Sequence, residues 1–154
     1  MPPAAAVTHA PTTPAAAIAT GTLLTNAGAG RNGYVTRDDC AAAAVAVLTT
    51  DGHEGKAYDI TGPEALDADD LAQIYGELGA TPVAVAHVDD DSWVAAMVQH
   101  AGMPEPVARA YATFGAAQRQ GYAAVVTPTL ERLIGRRPTS LRELLAARHE
   151  VAAG

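Results

Sequence analysis

Two histidines stand where their rings could move a proton. His87 precedes Asp89 by two residues, so on an extended segment both side chains face one way and could act as an imidazole–carboxylate pair in acid–base work. His100 follows Trp93 and Met97 on one helical face, near a helix end where the dipole favours a protonated ring. His100, His87 and Asp89 are therefore the candidate catalytic residues. Trp93, Met97, Tyr111, Phe114, Gln118 and Tyr122 lie in the same half of the chain and could line a pocket for a flat or polyketide-like ligand, with Gln118 and Tyr122 as its polar groups. The same residues at helical spacing also describe an ordinary core, and His100 could be purely structural.

Other chemistries find less support. Three consecutive carboxylates, Asp89, Asp90 and Asp91, cannot all converge on one ion, and they suit a helix N-terminus, so no metal site is expected. The histidines at 9, 53, 87, 100 and 149 lack zinc-ligand spacing, and no Ser-His-Asp set lies in a nucleophile-elbow context. Cys40 sits at the head of an apolar run and reads as a small core residue rather than a nucleophile. His53 and Glu54 read as turn residues. Arg136 and Arg137 come after a short helix and complement its last carbonyls.

Gly28, Gly30 and Gly33 match the dinucleotide spacing G-x-G-x-x-G. That spacing grips a pyrophosphate only where a strand precedes it and a helix opens on its third glycine. Here Tyr34 and Val35 come directly after Gly33, the helix starts only after Thr36, and no acidic residue ends a second strand where a ribose contact is needed. The glycines read as a loop-to-strand turn, and no cofactor is expected.

The elements that must position these residues can be placed from patterning. The chain has 154 residues, 49% of them hydrophobic and many of those alanine, which suffices for one compact domain. A net charge of −7 argues against nucleic acid, and one cysteine excludes an internal disulfide and fits a reducing, cytoplasmic setting. The N-terminus has neither a basic n-region nor an apolar stretch long enough for a signal peptide or membrane span. Pro2, Pro3, Pro11 and Pro14 make residues 1–17 a flexible Ala/Pro-rich arm, leaving residues 18–154 as a single domain.

Strands are expected at residues 22–25, 34–36, 56–61 and 83–88. Thr36 with Asp39, Asp67 with Asp70, and Ser140 with Glu143 have the spacing of capping boxes, opening helices that the first two carry to about Thr49 and Leu78. Leu71, Ile74, Tyr75 and Leu78 form a helical stripe, and Gly79 ends it. Further helices start at the acidic triplet, at Pro106 with Val107, Tyr111 and Phe114 aligned, and at Thr127-Pro128. The fold class is α/β: a truncated Rossmann-like sheet of few strands, then a helical region, with a break near Asp89.

Three segments in order, Gly33-Tyr34-Val35-Thr36-Arg37-Asp38-Asp39-Cys40-Ala41-Ala42, then residues 52–66 with His53-Glu54-Gly55 and Thr61-Gly62-Pro63-Glu64-Ala65-Leu66, then Glu131-Arg132-Leu133-Ile134-Gly135-Arg136-Arg137-Pro138, carry a resemblance. Over residues 18–148 the chain resembles the C-terminal, substrate-binding half of NmrA-like atypical short-chain dehydrogenases, the group that includes NAD(P)H:quinone oxidoreductase-like proteins. The resemblance implies a helical region that holds a small-molecule substrate. It also implies a Rossmann half with a Gly-x-x-Gly-x-x-Gly loop, which has no counterpart in this sequence.

Strands and apolar faces that would pack on such a half are then left open, so a homodimer or another partner is expected. One function that fits is a cofactor-independent enzyme of secondary metabolism, acting on a polyketide- or quinone-like ligand by acid–base cyclisation, isomerisation or elimination. A second is a non-catalytic accessory module that pairs with a separate nucleotide-binding protein. The third, a fragment of an ordinary reductase, is disfavoured by Met1 and the Pro-rich arm, which read as a natural start.

Overall fold

The computed structural model describes residues 14–153, and side chains as far as residue 148. Residues 1–13 of the expected arm, with His9, lie outside the described residues. Residues 14–17 begin a helix. Among the described residues the order is α1 (Pro14–Thr20), β1 (Thr22–Thr25), α2 (Arg37–Thr49), α3 (Ala68–Gly79), β2 (Ala84–His87), α4 (Asp90–Ala101), α5 (Glu105–Arg119), α6 (Thr129–Ile134) and α7 (Leu141–Ala153). This is a mixed α/β chain with a small parallel sheet, as the sequence implies. No described helix is long and apolar enough to cross a membrane.

The chain divides into two compact units, each discontinuous in sequence. One comprises the chain up to Arg31 together with Asp67–Tyr122, the other Asn32–Leu66 together with the chain from Ala123 onward. Beyond Asp89 every described element is a helix, as expected, but Asp89 caps α4 inside the first unit, so this change of element type is not the boundary between the units.

In the first unit β1 and β2 pair in parallel, from Thr22 opposite Ala84 to Thr25 opposite His87. Asp67 and Asp70 complete a capping box on α3, whose Leu71, Ile74 and Tyr75 are buried as the stripe requires. The helix stop falls at Ala80, which takes a left-handed φ of 49°, one residue past the expected Gly79. Gly79 serves a different need, since a Cβ there would overlap Ile18 of α1. Helices α4 and α5 enclose a cluster of Trp93, Val94, Met97, Ala108 and Ala112, with Leu24 and Val88 packed against it from the strand ends.

The buried face of α5 is Ala108, Ala112, Gly115 and Gln118, whereas Val107, Tyr111 and Phe114 are exposed. Close approach explains the inversion. A Cβ on Gly115 would overlap the Asn26 side chain, and one on Gly30 would overlap the Gln118 backbone, so only a face of small residues fits against the loop after β1.

In the second unit Thr36 caps α2 by accepting from the Asp39 amide at 3.1 Å. The Asp39 carboxylate turns away to accept from the Thr139 amide at 2.7 Å and the Arg136 guanidinium at 2.6 Å. This ties the start of α2 to the segment that leads into α7, where Ser140 and Glu143 form their reciprocal cap. Residues 34–36 and 56–61, expected as strands, are irregular; what pairs nearby is one antiparallel bridge between Asn32 and Leu66. A strand is defined by its partner, and neither segment has one along its length. Gly62 packs so tightly on Tyr34 that a Cβ would overlap the Tyr34 carbonyl oxygen.

Two outcomes are expected. Gly62→Ala forces the two backbones apart and lowers stability by about 1–3 kcal/mol or more, read from a urea melt. Burial alone would raise the Asp39 pKa, but the Thr139 amide, the Arg136 guanidinium and the Thr36 hydroxyl outweigh it and hold the carboxyl below its ordinary range. Its contribution is thus present above the unfolded pKa of about 3.9 and disappears as pH falls through the lower folded value. Asp39→Asn should cost about 1–3 kcal/mol at pH 7 and flatten the acid limb of a plot of melting temperature against pH. A variant melting like the parent at pH 7 would contradict this role.

Candidate functional site

A parallel strand pair leaves its carboxyl ends at one edge, where both strands hand over to loops and helices and a crevice opens. Here that edge carries Asn26, directly after β1, and His87, the last residue of β2. With Asp89 and Asp90 at the start of α4 and Arg119 at the end of α5, they border a cleft of about 620 Å³.

Its wall is braced by charge. The Arg119 guanidinium donates to both oxygens of Asp90, at 2.9 and 3.0 Å, and also to the Asn26 carbonyl oxygen. The Asn26 amide nitrogen donates to Asp90 at 2.8 Å and to the Ala112 carbonyl at 2.9 Å. Glycine at 115 is what admits the Asn26 side chain to α5. The Arg119 and then the Asn26 bonds hold the Asp90 carboxyl below its ordinary range, and Asp90 in turn raises the Arg119 pKa. Asp89 accepts from the Ser92 amide at 2.7 Å; that bond and the Ser92 hydroxyl likewise keep its carboxyl low.

His87 and Asp89 line the same cleft beside this brace. A carboxylate held below its ordinary range is a weak base, which disfavours Asp89 as a proton acceptor. His87 is exposed, and its ring makes no hydrogen bond to a described residue.

The structure brings two of the three catalytic candidates, His87 and Asp89, to this cleft. His100 is exposed in the last turn of α4, beyond the turn where Met97 is buried. Among the residues suggested for ligand binding, Trp93 and Met97 are enclosed in the α4–α5 core, and Gln118 is buried on the inner face of α5. Tyr111 and Phe114 are exposed and meet edge-to-face at 5.8 Å, and Tyr122 is 75% exposed. Cys40, read as core, is exposed instead, because α2 buries only Asp39 and Ala43. Partial burial of the sulfur and the nearby Asp39 charge push its thiol pKa up, away from nucleophilic use.

The three consecutive carboxylates go three ways: Asp89 to the helix cap, Asp90 to Arg119, Asp91 to Arg109. His53 is fixed in its turn between Thr50 and Tyr58. Sequence reasoning missed Asn26 and Arg119. The available signal for the first was a polar residue immediately after a strand; the second needed knowledge of where α5 ends in space.

The glycine turn offers a direct fit test for a nucleotide pyrophosphate, which needs free backbone N–H groups. The amides of Gly30, Asn32 and Gly33 already donate to the carbonyls of Ala27, Leu66 and Ala123. Gly33 runs into an irregular stretch, and α2 begins only at Arg37. These residues do not fit a phosphate cradle.

No protein-family model matches the chain. It is 40% identical over 116 residues to the (4-alkanoyl-5-oxo-2,5-dihydrofuran-3-yl)methyl phosphate reductase of Streptomyces griseus, a match that covers 75% of this chain and 40% of that protein. The NADPH-dependent quinone oxidoreductase structure from Escherichia coli superposes with a TM-score of 0.83 at 30% identity, over 88% of this chain and 49% of that one. The triphenylmethane reductase of Citrobacter sp. complexed with NADP(H) gives 0.81 at 35% identity, over 88% and 46%. The chain spans less than half the length of each of these proteins. The motif order, the strand-end cleft and these likenesses agree: the homologues and structural neighbours of the chain are NmrA-like, NAD(P)H:quinone oxidoreductase-like proteins, of which it matches about half the length.

Proposed function

We propose that this chain is the ligand-holding portion of an NAD(P)H-dependent reductase, seating a quinone-like or polyketide-like molecule in the cleft at the carboxyl ends of β1 and β2. The observation that carries the reading is the Asn26–Asp90–Arg119 brace, which fixes the wall of that cleft from three elements at once. The reductases it resembles are named for a dihydrofuran derivative, for quinones and for triphenylmethanes, all ring-containing molecules. Because the amides of Gly30, Asn32 and Gly33 are spent on protein carbonyls, this reading has the nucleotide held by residues outside that turn.

A second reading, acid–base cyclisation, isomerisation or elimination without nicotinamide, is favoured by one observation. The His87 ring stands in the cleft with no protein partner among the described residues, so it is available to a ligand for proton transfer.

Trp93 is the sole tryptophan and, although enclosed in the α4–α5 core, follows the cleft residue Ser92 directly, so its emission serves as a probe close to the cleft. Titration with 1,4-naphthoquinone should quench it saturably, and Asn26→Ala should weaken binding about tenfold, the equivalent of one lost charge-assisted hydrogen bond. Gly115→Ala, which displaces Asn26, should do the same. Linear, unsaturable quenching would overturn the reading. In the same buffer the chain alone should leave NADPH fluorescence unchanged; an enhanced, saturable signal would show that the chain by itself holds the nucleotide. The two readings part on His87→Ala: under the second it abolishes deuterium uptake into a bound ligand followed by NMR without NADPH, and under the first no uptake occurs in the parent.

A further inference from the structure

A second recess, of about 360 Å³, is built entirely from residues of the second unit. Its size lies within the range of about 300–1,000 Å³ usual for small-molecule sites. The apolar part of its wall comes from Pro63, Pro128, Pro138 and Val126. Each of the prolines adjoins a residue whose backbone is tied down. The Gly62 amide donates to the Gly33 carbonyl at 3.3 Å, the Thr127 amide to the Thr61 hydroxyl at 2.9 Å, and the Thr139 amide to the Asp39 carboxylate at 2.7 Å. Proline has a fixed φ and almost no side-chain entropy to lose, so such a wall is already in its bound shape. Its ring presents C–H surface of the kind that packs on aromatic rings.

The polar part of the recess is equally restricted. Proline has no amide donor, and Thr127 has spent its amide on Thr61 and its hydroxyl on the Asp59 carbonyl at 3.1 Å. Charge recognition therefore falls to Glu64, Glu131 and Arg137. Arg137 is already paired with Glu143 at 3.6 Å. The side chains of Glu64 and Glu131 have neither a hydrogen bond nor an ion pair among the described residues. The recess thus combines stiff apolar walls with two carboxylates that nothing in the unit neutralises. An anion is repelled there, and an uncharged ring gains only the apolar contact.

We propose that this recess binds a compact aromatic cation, a planar ring bearing an amidinium or ammonium group, with the ring on the prolines and the charge beside Glu64 and Glu131. An amidinium is the better fit of the two, since its paired N–H groups match the two oxygens of a carboxylate. The recess shares no residue with the strand-end cleft, so this proposal does not depend on what that cleft holds.

The test titrates the full, nitrogen-15-labelled chain with benzamidine, benzamide and benzoate, which share one ring and differ in charge, and follows the backbone amides by NMR. Benzamidine should shift the amides of Glu64, Thr127, Glu131 and Arg137 saturably, benzamide should bind about tenfold more weakly, and benzoate should not bind there. Glu64→Gln and Glu131→Gln should each weaken benzamidine about threefold, and together about tenfold, while melting within about 3 °C of the parent. If the variants unfold, the parent decides through salt: raising NaCl from about 50 to 500 mM should weaken benzamidine and leave benzamide unchanged. Equal affinity for benzamidine and benzamide overturns the proposal, as does tighter binding of benzoate, which assigns the recess to Arg137. Linear, unsaturable shifts overturn it too, as do shifts confined to residues 26–28 and 87–92. Shifts at these four amides that follow protein concentration without benzamidine place a cation of another copy in the recess, and also overturn it.

Discussion

Two parallel strands cannot be joined by a tight turn, and most of the chain's organisation derives from that constraint. The connection from β1 to β2 has to leave the carboxyl end of one strand and return to the amino end of the other. This chain makes the journey with α2, a long irregular stretch and α3. Residues 32–66 of the second unit lie within that connection, which is why neither unit is continuous in sequence. The parallel arrangement also puts Asn26 and His87 at the same edge, with α4 starting beside them. The cleft is a by-product of the pairing before it is anything else.

What holds the cleft in shape is a carboxylate shared between an amide and a guanidinium. Asp90 is a helix first-turn residue, a position that favours negative charge, and it uses that charge to hold the strand end and the last residue of α5. Arg119 is thereby paired within the wall, where it serves as a structural cation. The same economy recurs in the second unit, where Asp39 leaves half of a capping box unfinished in order to hold Thr139 and Arg136.

Local signals in the sequence were the readable ones. Caps at Thr36, Asp67, Asp89 and Ser140 mark where helices start because the bonds they make span three residues, and the strand at 22–25 has the bounds expected of it. The face of α5 was not readable. Periodicity points to the larger apolar residues Val107, Tyr111 and Phe114, whereas packing selected the alanines and Gly115 because the loop after β1 comes too close for anything bigger. Cys40 failed for a related reason, since an apolar run says nothing about whether a neighbour exists to cover it. The brace failed for want of range: Asn26 and Arg119 are 93 residues apart, and no spacing rule reaches that far.

Thr61-Gly62-Pro63 is one of the segments that carry the resemblance, yet Gly62 belongs to the second unit and is not among the residues that line the cleft. Its hydrogen atom faces the Tyr34 carbonyl where any other amino acid would place a carbon. Position 62 thus discriminates by volume alone, and a conservative replacement is as unacceptable there as a radical one. A residue fixed by such a steric limit carries no information about which molecule the protein binds.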